Sequence, residues 1–136
     1  MKYLSKVNNI KIKAVDVFKL RTSPLLLFKE IFGDNADEEL YSELLRVVET
    51  TDDEINTIET ICKAYVKGIK VEIKNSDLAN YTNGLVSVFV NDLDENGLLK
   101  NVKWDELGYW DFIILRILQS EAIKEHNRRI ERLKNG

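Results

Sequence analysis

The chain has 136 residues and a mass of 15.8 kDa, 44% of the residues being hydrophobic and 32% charged. This is the length of one domain and the composition of a globular protein rather than a disordered one. One Cys, one His, one Met and one Pro exclude a Cys/His zinc site and argue against a nucleophilic relay, since the one imidazole sits among charges. A net charge of −3 and a pI of about 5.3 lack the basic excess with which sequence-neutral nucleic-acid binders neutralise phosphates. The densest apolar run, residues 109–118, is broken by Asp111 and Arg116 and falls well short of the ~20 residues of a membrane span.

Residues 2–20 read as extended. Ile10, Ile12 and Ala14 alternate with Lys11 and Lys13, and Asn8-Asn9 permits a tight turn before them, which predicts a small β-hairpin. In Thr22-Ser23-Pro24 the serine suits a helix N-cap and the proline its first turn. Leu25, Leu26, Leu27, Phe28, Ile31 and Phe32 follow, and Gly33 stops the helix. So apolar a helix belongs in a core or at an interface.

A second helix is predicted over 36–49, with Leu40, Leu44, Val47 and Val48 on one stripe. Thr51-Asp52-Asp53-Glu54 is a capping box opening a third helix, with Ile55, Ile58, Cys62, Tyr65 and Val66 on its buried side and Gly68 after it. Residues 69–74 alternate again, as a short strand or an extended connector. Ser76 caps a fourth helix, where Leu78, Tyr81, Leu85, Phe89 and Leu93 sit at helical spacing. There the Val86–Val90 run pulls towards β-structure and Gly84 weakens the helix by ~1 kcal/mol, leaving residues 85–90 open between helix and strand. Residues 94–105 read as a loop. The longest helix runs from Tyr109 to Lys134, apolar nearly all round in its first half and thinning to Ala122, Ile123, Ile130 and Leu133 in its second.

The expected architecture is thus mainly α: one domain over 1–136, with a small hairpin over 1–20, a helical body of four to five helices over 23–123, and a helix end over 124–136 that projects. No stretch has the charged-then-apolar layout of a signal peptide, and the unpaired Cys62 fits a reducing cytoplasm.

Charge is unevenly spread. Residues 1–29 are basic apart from Asp16, residues 30–60 are acidic apart from Arg46, and residues 113–136 are again mostly basic. Such polarity suits head-to-tail self-association or a complementary partner; it also suits solvated faces that neutralise one another within the fold.

Four groups invite a chemical reading. Asp92-Leu93-Asp94-Glu95-Asn96-Gly97 opens like a calcium-binding EF-hand loop, but the twelfth position, where a bidentate Glu must close it, is Lys103; an Asn-Gly turn is the simpler reading. Asp52, Asp53 and Glu54, and likewise Asp105, Glu106 and Asp111, have no fixed metal-ligand spacing and suit helix N-termini. His126, Arg128, Arg129, Arg132 and Lys134 could touch phosphate, but interspersed acids weaken the attraction. Trp104, Tyr109, Trp110 and Phe112 are a cluster of the residue types that fill cores and anchor interfaces. No catalytic, cofactor-binding or metal-ligating residue is expected.

The run Ile10-Lys-Ile-Lys-Ala14, followed by Thr22-Ser-Pro-Leu-Leu-Leu-Phe-Lys-Glu-Ile-Phe-Gly33, resembles the tail assembly chaperones of phages infecting Gram-positive bacteria. The resemblance covers residues 8–68: a strand pair, a Ser/Thr-Pro step, an apolar helix ending in Phe-Gly, then an acidic helix and a second apolar one. It implies a small helical protein without enzymatic activity in the host cytoplasm. It further implies binding to the tape measure protein, with tail tube subunits as a further candidate; the charge balance and the short apolar run lead to no expectation of a nucleic-acid or membrane partner. Leu25, Leu26, Phe28, Ile31 and Phe32 are then the expected partner-binding surface, with Trp104 and Trp110 as further anchors. The alternative is a small phage or mobile-element inhibitor that binds a host protein through the acidic 30–60 face.

Overall fold

The computed structural model describes residues 52–69 and 76–135. They form three helices, α1 (Asp52–Val66), α2 (Asp77–Phe89) and α3 (Tyr109–Asn135), with single 3-10 turns at Val90–Asp92 and Trp104–Glu106. The described part is therefore mainly α, as expected. The hairpin over 1–20, the helices expected over 24–32 and 36–49, the Thr51 cap and the extended piece beyond Ile69 lie outside the described residues. The described residues divide into two compact units, one holding 103–112 and the other holding 52–69, 76–102 and 113–135.

In the larger unit, α1 starts with three acids, Asp52, Asp53 and Glu54, where the helix dipole favours them. It ends on Gly68 at φ 77°. The Ile69 N–H donates to the Ala64 carbonyl at 2.8 Å and the Gly68 N–H to Tyr65 at 3.1 Å. These are the paired bonds of a Schellman stop, which needs a left-handed residue where glycine stands. Ile58 and Cys62 are buried, as the apolar spacing predicts, and Ile61 joins them. Ile55, Tyr65 and Val66 are half-buried.

α2 resolves the ambiguity at residues 85–90 in favour of helix. The Ser76 hydroxyl accepts from the Ala79 N–H at 3.3 Å, and the helix continues through Phe89 before tightening into the 3-10 turn. Its buried row is Ala79, Thr82 and Val86, one residue round from the expected Leu78, Tyr81, Leu85 and Phe89, which are half-buried. A small residue and a β-branched hydroxyl allow this. Ala79 lets a neighbour approach closely, and Thr82 satisfies its own hydroxyl by donating to the Leu78 carbonyl at 2.7 Å. α1 and α2 pack together.

Residues 93–102 fold into a compact turn. Leu93 and Leu99 form an isolated antiparallel bridge, and the Leu99 N–H donates to the Gln119 side chain on α3 at 3.0 Å. Gly97, at φ 89°, lies directly on α3. A Cβ there would stand 2.7 Å from the Ala122 carbonyl carbon and from the Ile123 nitrogen. Ile114, Leu115 and Leu118 of α3 complete the core of this unit, each contributing ~1.5–3 kcal/mol when fully buried.

Gly97→Ala is accordingly expected to lower stability by about 2 kcal/mol or more, since it combines a left-handed backbone with a clash against helix backbone that has no side-chain freedom to yield. Thermal and denaturant midpoints of the variant check this; Gly84→Ala, at an exposed site with nothing within 4 Å of the added carbon, should leave them level or raise them.

Candidate functional site

The calcium-like loop is built as a self-contained turn. The Asp94 carboxylate accepts through Oδ1 from the Asn96 and Leu98 N–H groups, both at 2.9 Å. Its Oδ2 lies 3.4 Å from the Lys100 ammonium. Asp94 is thus held through Oδ1 by its own turn, its Oδ2 is left to the ion pair with an exposed lysine, and Asp92 ends the 3-10 turn Val90–Asp92. The Leu98 N–H, then that of Asn96, together with Lys100, hold the Asp94 carboxyl below its ordinary value of 3.8. Among the described residues there is no group of three or more His, Cys, Asp or Glu side chains able to hold a metal ion.

Cys62 sits in the core of the larger unit. Its thiol points at the Ile114 carbonyl of α3, with S···O 4.0 Å. Burial, reinforced by the negative charges of Glu121 and Glu59, pushes the thiol up to about 12. A thiol held protonated is a poor nucleophile and a poor metal ligand.

Two carboxylates of α3 were not legible as interior groups. Glu121 and Glu125 are 4% and 8% exposed, so these two bury more than their charge suggests, whereas residues 127–135 are exposed. Each keeps a cation at the edge of its burial. Lys124 Nζ donates to Glu121 Oε1 at 3.3 Å, and Arg128 Nη1 to Glu125 Oε2 at 3.1 Å. Arg129 Nε stands 3.7 Å from Glu125 Oε1. The spacing offers a partial signal, because Ile114, Leu118, Glu121 and Glu125 share one 4-3-4 row.

In the smaller unit the aromatic cluster forms. Trp104 meets Phe112 edge to face, centroids 5.6 Å apart at 74°, and Tyr109 meets Trp110 at 5.5 Å and 81°, both geometries that the ring quadrupoles favour. Trp110 is buried, at 2% exposure, whereas Trp104 keeps part of its surface open. Leu25, Leu26, Phe28, Ile31 and Phe32 lie outside the described residues. His126 is half-buried between charged neighbours. Large apolar side chains are exposed at Ile69, Val88, Leu98, Ile130 and Leu133, and no helix among the described residues is long and apolar enough to cross a membrane.

Comparison with protein-family models, with curated proteins and with solved structures returns no match.

Two outcomes follow from this geometry. Cys62 in the folded protein should react with a disulfide reagent at pH 8 orders of magnitude more slowly than in the unfolded chain, with a rate that climbs with added denaturant. Fast native labelling would place the thiol at the surface. Asp94 gives a pH dependence of defined sign. Its folded pKa lies below the ordinary 3.8, so the stability it contributes is full above that value and is lost as pH falls through the folded pKa. Asp94→Asn should therefore melt below the parent at pH 7, with the gap closing in acid. A gap independent of pH would assign the effect to the amide substitution itself and not to charge.

Proposed function

We propose that this chain is a non-catalytic phage tail assembly chaperone that binds the tape measure protein, and tail tube subunits, before assembly in the host cytoplasm. The observation that carries the proposal is the sequence run from Ile10 to Gly33, with its strand-like alternation, Ser-Pro step and apolar stretch ending in Phe-Gly. The proposed architecture is four to five helices with an N-terminal hairpin, and the proposed contact surface is Leu25, Leu26, Phe28, Ile31 and Phe32, with Trp104 and Trp110 as supporting anchors. The placement of the polar chemistry favours a binding role. The thiol is buried and protonated, the Asp94 Oδ1 is engaged by its own turn, and the buried glutamates are paired with cations three and four residues along.

Affinity purification of the tagged chain from phage-induced cells, followed by mass spectrometry, tests this. Recovery of a very long helical tape-measure-like protein, lost in Phe28→Asp at unchanged helicity, is the expected result. Recovery of a host enzyme instead, released by neutralising acids within 30–60, would replace the proposal with that of an inhibitor acting through its acidic face.

A further inference from the structure

α3 carries two rows of side chains that diverge along its length. The first row, Ile114, Leu118, Glu121 and Glu125, is buried in the larger unit. Continued at the same spacing it becomes Arg128 and Arg132, both exposed. The second row is Ile123, His126, Ile130 and Leu133, spaced three, four and three residues apart, the repeat of a two-helix seam. It lies roughly a third of a turn round the helix from the first. Its exposure grows along the helix: Ile123 and His126 are half-buried, Ile130 is 36% exposed and Leu133 is 84% exposed. Ile130 and Leu133 therefore do not continue the packed face of α3 but start a new one.

The rims of this second row are basic. Arg129 borders it on one side and Lys134 on the other, the positions that face a partner helix across a seam. From Asn127 to Asn135 the helix carries four cations, Arg128, Arg129, Arg132 and Lys134, against one acid, Glu131. Glu125 engages Arg128 and Arg129; among the described residues no ion pair to Arg132 or Lys134 is formed. Two copies of this segment laid side by side would set Arg129 against Lys134 in parallel, or each against its own kind in antiparallel, which selects against self-pairing. We infer that the Ile123–Leu133 face of α3 is one half of a heterotypic two-helix seam whose occupant is an acidic amphipathic helix of a partner protein, with apolar residues at seam positions and Glu or Asp at the rims. The inference rests on the protein-binding reading above but not on the phage assignment.

Fluorescence anisotropy with the full chain tests it, using labelled three-heptad peptides as probes: Leu/Ile seam positions with Glu rims, and the same seam with Lys rims. The acidic peptide should bind at least about tenfold more tightly than the basic one in low salt, and the difference should shrink as salt screens the rims. Ile130→Ser with Leu133→Ser should abolish binding, and Arg129→Glu with Lys134→Glu should reverse the preference. These positions are exposed, so circular dichroism and the thermal midpoint should not move, which separates lost binding from lost folding. Equal affinity for both peptides, or binding that survives the double Ser variant, would overturn the proposal. So would sedimentation showing a dimer of the parent that the double Ser variant dissolves, which makes a second copy the occupant. Tighter binding to vesicles of anionic lipid than to the acidic peptide would assign the face to a membrane surface instead. A failed purification of a tape measure protein leaves the peptide result standing, and a failed peptide test leaves the purification standing, so the two readings fall separately.

Discussion

The close approach of the 93–102 turn to α3 constrains most of the larger unit. Gly97 rests against the Ala122 and Ile123 backbone with no room for a side chain, and the Gln119 amide oxygen receives the Leu99 N–H one turn earlier. Two contacts about a helical turn apart fix both the position and the tilt of the turn on the helix. Asp94 makes this possible from inside the turn. By accepting from the Asn96 and Leu98 N–H groups it closes the turn on itself. The carboxylate that looks like a calcium ligand in the sequence is thus spent on folding.

The face of α3 below that turn must change character along its length, and this explains the buried glutamates. Ile114 and Leu118 face a core that includes Cys62. One and two turns on, the same row reaches Glu121 and Glu125 while still covered. Buried carboxylates are costly unless paired, and an intrahelical cation three or four residues along can pair with one while its own head stays in water. Lys124, Arg128 and Arg129 supply that arrangement. Burial first, then the negative charges of Glu121 and of Glu59 on α1, keep the Cys62 thiol protonated.

What was legible in the sequence was the part governed by local rules. Ser76, Gly68 and the 3.6-residue spacing of Ile58 and Cys62 mark helix ends and faces through bonds made within a few residues, and the structure has them there. Tertiary approach was not legible. The buried row of α2 runs through Ala79 and Thr82, which a hydropathy pattern passes over in favour of Leu78 and Tyr81, because a small residue and a hydroxyl carry little hydropathy signal. Gly97 was readable as a turn glycine but not as a contact with Ala122, which lies 25 residues away. The burial of Glu121 and Glu125 was not legible for the same reason: it depends on what packs over that row of α3, and charge alone does not report it. Of the candidate surface, Trp104 and Trp110 fall where an aromatic cluster was expected, and the Leu25–Phe32 run stands on sequence pattern alone.

The same reasoning accounts for the behaviour of α3 past Glu125. A helix that only had to finish the core would lose its apolar residues once its covered row ends. Here the covered row turns to arginine, which prevents the packed face from extending, while Ile130 and Leu133 appear on another side. Exposing Leu133 brings the fold no stability, since it buries nothing within the unit. An apolar pair in seam register, rimmed by cations, is a cost to solubility that a partner surface would remove. Its charge also decides what can cover it. Like-charged rims penalise a second copy, whereas acidic rims would meet Arg129 and Lys134 with favourable potential and exclude water from the two apolar positions between them.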